Sequence, residues 1–591
     1  MKKKLFAVVM ASMMAVSAFA ACSNNGGTEL TADTAAQPDT TNASGESIYS
    51  EDAIQHFTMF AAMAGTEKND GNEIMQLIAE KTGVSLKETW LTGQQAGEAI
   101  GSIIASGSLP DLIDGGDGSV TLYENDLLVA WDPYLEMYPN LKEMYSDEEW
   151  DKFRMDDGHI YWANVFGNHY NNVDTSTGHN GEAFWIQARV LEWANYPKIE
   201  TLDEYFQVLE DYYNEFKTMP DGETSLIPYT CLCEGWKYYC LENAPMFLDG
   251  YPNDGCCIVN VDDPANPKVV DYNTTDTAKA YFKKLNEEWN KGYMIDPDFA
   301  IQTYDEYIAK LSTGRVLGLC DQFWDFAYSI ANPFAQPLES LNGQRLDELG
   351  CDYVPLGLTI NKGMEQQWHS YGDELNQASG IAVTTSCKDP DLAFAFLNAM
   401  LDQEIHDLRF WGVKDVDYLV DENGLYYRDD TMRENWKNDS YKAKHTCEYS
   451  YFPQWNGLSK DGKNCMMPGE QPSEFLAGLA APLKKCFEAY GAGNYNDFIG
   501  SKYCDQYPWY PLWSWSNGVS NDTEGGIAWQ KMGEVKHMWL PKVVMSEDFE
   551  ADWAAYQQAY ADVNPQAFLD EAQAEVDARL ATAVANGTFT G

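Results

Sequence analysis

Aromatic rings and carboxylates are the side chains of this sequence whose chemistry could recognise a small molecule. The chain contains 19 tryptophans and 36 tyrosines, enough to fill a core and still leave rings for a ligand. A sugar ring has an apolar face of C–H groups that a flat aromatic ring covers, while polar neighbours satisfy the hydroxyls. The composition therefore favours a site where aromatic rings stack on a carbohydrate.

Trp324 is the foremost aromatic candidate. It lies in Gln322-Phe-Trp-Asp325, directly after the apolar run 316–319 that predicts a strand. A residue at the exit of a strand can face a ligand, although the same tryptophan could also fill the core. We expect Trp324 to stack on the ligand.

Three further tryptophans are candidates for the same kind of contact, and each could equally belong to the core. Trp513 and Trp515 alternate at the spacing of a strand, which predicts that they share one face. Trp455 lies in Phe452-Pro-Gln-Trp-Asn-Gly457, which is typical of a loop.

A glycine-rich loop supplies the main polar candidates. Asp114-Gly-Gly-Asp117-Gly resembles half of a calcium loop, but the D-x-D-x-D-G pattern and its distant glutamate are missing. We interpret it as a strand-to-helix loop in which Asp117, and with it Asp114, accepts hydrogen bonds from sugar hydroxyls. The remaining polar candidates for ligand binding are Glu67, Lys68, Asn164 and His169.

No catalytic or metal-binding motif is present in the sequence. It lacks a P-loop, a G-x-S-x-G elbow and an H-E-x-x-H helix. Two of the 92 acidic residues could lie at glycosidase spacing by chance, which indicates nothing by itself. His159, His169 and His179 recur every ten residues, a spacing that does not bring them together on a helix or strand. We therefore predict no catalytic residue, no metal and no cofactor.

The cysteines leave three interpretations open. Setting Cys22 aside, 12 of the 13 cysteines remain, and an even number in an exported protein permits disulfides. A local bridge is plausible among Cys231, Cys233, Cys240 and the pair 256–257. A zinc site is the rival interpretation, but paired C-x-x-C units are missing. Buried free thiols are the third.

Alternating strands and helices should position these residues. Ligands of parallel sheets bind beyond the carboxyl ends of the strands, which nominates the loops 65–70 and 114–119. The apolar periodicity predicts, in order, a strand at 56–62, a helix at 72–81 that stops at Gly83, a strand at 84–91, a helix at 94–105 and a short strand ending near Ile113.

The first residues predict export and a lipid anchor. Three lysines precede an uncharged apolar run from Leu5 to Phe19, which is followed by Ala20, Ala21 and Cys22. This layout is typical of a signal peptide at 1–21. The cysteine resembles that of a bacterial lipobox, where it carries acyl chains, although Phe19 stands where that motif usually has leucine. An ordinary signal peptide followed by a coincidental cysteine is the alternative. Residues 22–51 are small and polar, so we expect a flexible tether on the outer face of the cell membrane.

The net charge limits the partners. Lysine and arginine number 39 against 92 acidic residues, giving a net charge of −53. Nucleic-acid binding needs basic surface, so this composition argues against it. It suits a self-repelling, monomeric surface protein whose ligand is neutral or cationic.

Several patches in the same order carry a family resemblance. They include the 107–111 turn Gly-Ser-Leu-Pro-Asp, Asp157-Gly-His-Ile-Tyr161, the segments 184–186 and 201–205, YFKKLNEEWNKGYMIDPDFA at 281–300, 380–401, and WGVKDVDYLVDENGLYYR at 411–428. Over about 55–430 the chain resembles extracellular solute-binding proteins of ABC importers, closest to the long lipoprotein branch of Gram-positive bacteria. Gln187 departs from the arginine that usually follows Trp-Ile in that branch.

This resemblance implies a two-lobed α/β clamshell of the periplasmic-binding-protein type. Each lobe would be a mostly parallel sheet flanked by helices, with a helical C-terminal extension. We expect 52–165 plus 350–388 to form the first lobe, and 166–349 plus 389–591 the second.

The resemblance also implies a function. The chain would be a lipid-anchored, non-enzymatic component that captures a solute, most simply an oligosaccharide, by hinge closure and delivers it to an ABC permease. A surface-anchored carbohydrate-active enzyme and a receptor for a peptide or another solute are the alternatives.

Overall fold

The computed structural model describes residues 54–589 except 66–70, 93–94, 167–168, 171–174, 176, 180, 253–254, 331–339, 342–343, 369–374, 501–506, 511 and 521. The predicted signal peptide and tether, with Cys22, therefore lie outside the described residues, as do Glu67 and Lys68. Within the described part of the chain, no helix has the length and apolar character needed to cross a membrane.

Sixteen strands form two four-stranded sheets and several two-stranded pairs in the described residues. They are β1 Gln55–Ala61, β2 Val84–Trp90, β3 Leu112–Asp114, β4 His169–Tyr170, β5 Glu182–Gln187, β6 Ile227–Thr230, β7 Ile258–Asn260, β8 Lys268–Val270, β9 Val316–Gln322, β10 Ser340–Leu341, β11 Gln344–Arg345, β12 Tyr353–Leu356, β13 Ile381–Val383, β14 Leu419–Val420, β15 Tyr426–Tyr427 and β16 Asn456–Gly457.

The first sheet has the order β13-β3-β1-β2. Strand β1 runs parallel to β2 and β3, with Ala61 opposite both Trp90 and Asp114. The edge strand β13 is antiparallel to β3. Helix α1 joins β1 to β2, and its ends follow from the sequence, because Asn72 caps the first turn and Gly83 adopts a left-handed φ of 72° at the end. The predicted strand–helix–strand unit is confirmed.

The second sheet has the order β12-β5-β9-β6 and is mixed. Strand β6 is parallel to β9, whereas β5 is antiparallel to both of its neighbours. Three of the four strands consequently run in one direction. The Gln187 side chain, which replaces the arginine expected from the resemblance, is fully buried and donates to the Gly314 carbonyl oxygen at 2.9 Å.

The helices flank these sheets and continue to the C-terminus. They are α1 Glu73–Thr82, α2 Ala96–Ser106, α3 Ser119–Glu124, α4 Asp132–Met137, α5 Pro139–Lys142, α6 Asp147–Lys152, α7 Ala188–Trp193, α8 Leu202–Glu215, α9 Tyr239–Glu242, α10 Ala244–Leu248, α11 Asp276–Asn290, α12 Tyr304–Ser312, α13 Phe323–Ile330, α14 Pro390–Ala399, α15 Gln403–Phe410, α16 Asp430–Asn435, α17 Asp439–His445, α18 Pro472–Gly478, α19 Ala481–Tyr490, α20 Trp513–Asn517, α21 Glu524–Val544, α22 Phe549–Ala561 and α23 Pro565–Ala585.

The C-terminal extension is helical, as predicted. Trp553, Tyr556 and Tyr560 form the buried face of α22. Phe568 on α23 is also buried and stacks on Trp529 of α21, with ring centroids 4.4 Å apart. These three helices pack on one another and extend the second core.

Two separate hydrophobic cores correspond to the two sheets. One core takes its residues from 57–165 and 381–466, the other from 183–368 and 475–576. Each core is built from two stretches of sequence, so the chain passes between the sheets more than once.

Packing corrects the predicted lobe boundaries at two places. Strand β12 was expected in the first lobe, but it pairs with β5 and so belongs to the second sheet. Residues 390–466 were expected in the second lobe, yet they pack on the first core. Phe394, for example, meets Trp131 edge-on at 5.2 Å. The apolar face of α14 is satisfied there, and periodicity alone cannot tell which sheet such a helix covers.

The described cysteines are unbridged. All eleven described cysteines are free thiols, and ten of the eleven are buried. Cys256 and Cys257 have their sulfur atoms 3.7 Å apart without a bond. Of the three interpretations left open by the sequence, the structure supports buried thiols and does not contain the suggested local bridge.

Candidate functional site

The carboxyl ends of the strands define one edge on each sheet. In the first sheet this edge carries Trp90 at the end of β2 and Asp114 at the end of β3. In the second sheet β6 leads into the 231–238 segment, and β9 leads into α13 with Trp324. Side chains that follow parallel strands converge at such edges, which is where α/β folds bind ligands.

A stack of aromatic rings projects from the edge of the second sheet. The Trp236 ring lies nearly parallel to that of Trp324, with an interplanar angle of 9° and centroids 5.7 Å apart. The Tyr239 ring packs against that of Trp324, with centroids 6.5 Å apart. Trp236 is 51% exposed, so it forms the outer layer. We call Trp236, Tyr239 and Trp324 the aromatic platform.

Lys237 holds the platform from behind. Its Nζ lies 4.4 Å from the ring centroid of Trp236, 4.2 Å from that of Tyr304 and 5.4 Å from that of Trp324. The same ammonium group forms an ion pair with the buried carboxylate of Asp325. An ammonium group between ring faces is attracted by their π electrons, so Lys237 links the rings to the body of the lobe.

Buried carboxyl groups lie beneath the platform. Tyr307 donates to Asp321 at 2.7 Å, and the Tyr239 hydroxyl is 3.1 Å from Asp321 and 3.3 Å from Asp325. Burial, with the charge of Asp325, raises the pKa of Asp321 to about 7. Burial likewise raises the pKa of Glu182 to about 8, although Asn243 donates to it.

Asp321 and Asp325 also lie close to Cys240. The Cys240 sulfur and one carboxylate oxygen of each aspartate, the atoms that could bind a metal ion, lie within 4.8 Å of one another. Lys237 already supplies a positive charge to this cluster through Asp325. The side chains are engaged in hydrogen bonds below the rings, and they brace the platform from inside the lobe.

The first-sheet edge presents a second aromatic group. Trp90 meets Tyr451 edge-on with centroids 5.4 Å apart, and Phe166 also meets Tyr451 edge-on at 5.3 Å. Phe166 is 43% exposed. The Asp114 carboxylate accepts a hydrogen bond from the Gly116 amide at 3.0 Å, and burial raises its pKa to about 6.

The two edges face each other. A Cβ atom on Gly235, next to Trp236, would lie 3.5 Å from Nε2 of Gln95 in the first lobe. Tyr451 lies near both Asp114 and Tyr304, and their charges add to burial in raising the pKa of its phenol. We call the space between these two edges the cleft. Aromatic rings lie on both of its walls, and the carboxyl groups of Asp114, Asp321 and Asp325 are buried behind them.

Comparisons with known proteins place the fold. Neither a protein-family model nor a curated protein sequence matches the chain. Among solved structures, an alginate-binding protein without calcium ion has a TM-score of 0.56 at 14% identity, covering 89% of this chain and 98% of that one. A solute-binding protein from Bifidobacterium longum infantis, described as binding HMO and associated with an ABC transporter, has the same score and identity and covers 88% and 98%.

The substrate-binding protein FusA of an ABC transporter of Streptococcus pneumoniae, in complex with kestose, is also similar. Its TM-score is 0.56 at 17% identity, with 89% of this chain and 100% of that one covered. The chain has the fold of the extracellular solute-binding proteins. The two-lobed α/β fold class expected from the sequence is thereby confirmed.

Within this solute-binding fold, three predicted residues lie at the cleft edges. Trp324 is part of the aromatic platform, half-buried under Trp236. Asp114 is buried at the end of β3, and Asp117 is exposed on the adjoining turn 116–118. Their roles in ligand binding remain predictions.

Two other polar predictions have different surroundings. The Asn164 side chain is buried and accepts a hydrogen bond from the Phe166 amide at 2.9 Å, so it stabilises the backbone of residues 164–166. His169 belongs to β4, which pairs with β16 through the backbone. Glu67 and Lys68 lie outside the described residues.

Three tryptophan predictions need correction. Trp455 lies in a loop, as predicted, but its ring is only 4% exposed and belongs to the first core, with its indole N–H donating to the Leu401 carbonyl oxygen. Trp513 and Trp515 lie on α20 rather than on a strand and therefore do not share a face. Trp515 instead stacks on Phe568 at 5.6 Å.

The prediction missed Trp236, Lys237 and Tyr304 on one wall, and Trp90 and Tyr451 on the other. The signal for Trp236 and Lys237 was available, because 231–238 follows β6 just as Trp324 follows β9. The cysteines in that segment drew the interpretation toward a disulfide. Tyr451 could not be found this way, since it reaches the first edge from a distant part of the chain.

A second crevice, of about 700 Å³, lies at Arg345, Glu348 and the described part of 434–444. Its aromatic residue, Tyr441, stacks on His445 at 4.0 Å and presents no free platform. The aromatic cleft is therefore the better candidate for ligand binding.

Proposed function

We propose that the chain is the substrate-binding component of an ABC importer and that its ligand is an oligosaccharide. The observation that carries this proposal is the exposed ring of Trp236, stacked on Trp324 at the edge where solute-binding folds hold ligands. Flat rings cover the C–H faces of sugars at little entropic cost. The structurally similar proteins named above include ones described with alginate and with kestose.

Binding would proceed by hinge closure. The sugar would lie against Trp236, and the first-lobe group of Trp90 and Tyr451 would close over it. The Asp114 carboxyl group and the Gln95 amide would then reach its hydroxyls. A ligand that contacts both walls binds the closed state better and shifts the hinge equilibrium toward it.

The enzyme alternative is less well supported by the geometry. Asp321, Asp325 and Glu182 are buried beneath the platform and bound to Tyr307, Lys237 and Asn243 respectively. A glycosidase needs two carboxyl groups exposed to the scissile bond. We therefore expect binding without turnover.

A thermal-shift screen with short gluco-, xylo-, manno- and fructo-oligosaccharides and with peptides tests the function. A true ligand raises the melting temperature by an amount that grows with its concentration. If peptides alone stabilise the protein, the oligosaccharide proposal fails. Release of reducing sugar from a stabilising oligosaccharide would favour the enzyme instead.

Anchoring and delivery are separate parts of the proposal. We propose that Cys22 carries the lipid, that the folded body lies on the outer face of the membrane, and that an ABC permease receives the ligand. In the native host, Cys22→Ser should move the protein from the membrane fraction to the medium. Unchanged membrane association would contradict the lipid anchor, and sugar uptake unaffected by deletion of the gene would contradict delivery.

A further inference from the structure

The charge of the cleft restricts which oligosaccharides it can hold. Lys237 is the cation that contacts the platform among the described residues. Its ammonium group is paired with Asp325 and enclosed by the rings of Trp236, Tyr304 and Trp324. Only 13% of its side chain is exposed. It therefore braces the rings and is not free to receive an anion.

Among the described residues, which do not include Lys68, the other charged groups at the two walls are carboxylates. Asp114 lies on the first-lobe wall. On the opposite wall, Glu234 accepts a hydrogen bond from the Tyr304 amide at 2.6 Å, and Asp321 is close to the ion pair. Three carboxyl groups thus accompany one ammonium group that Asp325 already neutralises. The net charge of −53 adds a repulsive field at longer range.

We propose that the cleft selects uncharged oligosaccharides and rejects those bearing carboxylate or sulfate groups. This inference rests on the proposed function and specifies its substrate class. An anionic sugar entering the cleft would lose its hydration without gaining a counter-charge from the described residues, and it would face Asp114 on the first-lobe wall. Like charges brought together in a partly desolvated site oppose binding strongly.

The test compares matched ligands by isothermal titration calorimetry. Each neutral hexose oligosaccharide that stabilises the protein is titrated beside its counterpart of equal length whose C6 hydroxymethyl groups are oxidised to carboxylates. A xylo-oligosaccharide, which has no C6, is titrated beside one that carries a glucuronate branch. Oligogalacturonate and oligomannuronate serve as further acidic probes. We expect the oxidised counterpart to bind at least about 100-fold more weakly at low salt, with the gap narrowing as salt screens the repulsion.

Asp114→Asn identifies the source of the discrimination. The amide keeps a hydrogen-bonding side chain but removes the charge. The ratio of the Kd for the oxidised sugar to the Kd for the neutral sugar should therefore fall about tenfold. Asp211→Asn, an exposed change on α8, alters the net charge equally and should leave the gap unchanged.

Lys237→Met separates the two roles of the cation. If Lys237 supports the rings, the variant should bind the neutral sugar more weakly. If Lys237 instead binds anions, only the affinity for the oxidised sugar should fall. Circular dichroism and the melting temperature verify that each variant is folded.

The outcomes distinguish the two proposals. Equal affinity for neutral and oxidised sugars at low salt overturns the charge inference and leaves the oligosaccharide function standing. Tight binding of oligogalacturonate or oligomannuronate also overturns it. Failure of every sugar, neutral or acidic, to bind overturns the proposed function and the inference with it.

Discussion

The Trp236 ring lies almost parallel to that of Trp324, 5.7 Å away between centroids, and leaves its outer face to solvent. The two residues are 88 positions apart in sequence, and they follow β6 and β9, which are neighbours in the second sheet. The sheet thus brings together two rings, and Lys237 holds both. Trp236 is the ring that a ligand meets first, and Trp324 supports it.

This layering predicts unequal and coupled effects of substitution. Trp236→Ala removes the outer ring and should weaken oligosaccharide binding by about 1–3 kcal/mol, or about fivefold to more than hundredfold in Kd. Trp324→Ala removes the support and should weaken it less. The double variant should lose less than the sum, because the two rings act as one unit. Calorimetric titration of each variant measures the coupling.

Trp193→Ala is the matched control for these variants. This residue is also a partly exposed tryptophan of the second lobe, 37% exposed, and it donates to Glu215 on α8 rather than lining the cleft. Its loss should leave affinity unchanged. Full affinity in Trp236→Ala, or an equal loss in Trp193→Ala, would show that the platform is not the ligand site.

The sequence predicts the local elements of the fold well where caps and periodicity agree. Asn72 and Gly83 mark the ends of α1, and the predicted strand at 84–91 is β2, which ends at Trp90. The sheet that an element joins is determined by tertiary packing and not by local sequence. Strand β12 and helix α14 were therefore assigned to the wrong lobes, since an apolar face fits either core.

The candidate site was predictable only in part, for a related reason. Trp324 could be found because its position after an apolar strand indicates an edge of the sheet. The loop-like pattern around Trp455 concealed a buried ring whose N–H is satisfied by a carbonyl oxygen. Trp513 and Trp515 show that two aromatic residues at spacing i, i+2 occur in a helix as well as in a strand.

The buried Glu182 predicts how stability depends on pH. Its pKa is about 8 in the fold against 4.5 for the free side chain, mainly because burial disfavours the charge. Between these values the folded chain retains a proton that the unfolded chain releases. The contribution of Glu182 is therefore fully present below pH 4.5 and is lost as the pH rises toward about 8, by at most about 1.4 kcal/mol per pH unit.

Glu182→Gln tests this dependence, because the amide has the same shape and cannot ionise. Urea unfolding across this pH range should give a flatter profile for the variant, which should exceed the parent protein in stability at alkaline pH. Glu98→Gln, an exposed change on α2, should leave the slope unaltered. Parallel profiles for the parent and Glu182→Gln would contradict a raised pKa at Glu182.

The free thiols predict indifference to reductant. Eleven described cysteines have no disulfide partner, so dithiothreitol should not lower the melting temperature. Alkylation with iodoacetamide in denaturant, without prior reduction, should label all eleven in the mass spectrum. A cysteine that is labelled only after reduction would reveal a bridge, and Cys231 and Cys233 are the pair for which this measurement is most informative.

Arg409 predicts a link between core stability and the ligand cleft. Its guanidinium group is 1% exposed and donates to four backbone carbonyl oxygens of the first lobe, those of Met400, Glu448, Tyr449 and Pro453, at 2.6–2.9 Å. The last three flank Tyr451, which packs on Trp90 at the cleft edge. Arg409 therefore ties the segment that carries Tyr451 to the core.

Arg409→Met should release that segment and leave several carbonyl groups unsatisfied. We expect a loss of about 3 kcal/mol in the free energy of unfolding and weaker oligosaccharide binding as Tyr451 loses its position. Arg154→Met, which removes a surface ion pair with Asp132 in the same lobe, should cost less than about 1 kcal/mol and leave binding intact. Denaturant unfolding and calorimetric titration measure the two effects separately. A variant of Arg409 that is destabilised but binds with unchanged affinity would show that Tyr451 keeps its position without the guanidinium group. The contacts of Tyr451 with Trp90 and Phe166 would then be sufficient to hold the first-lobe wall.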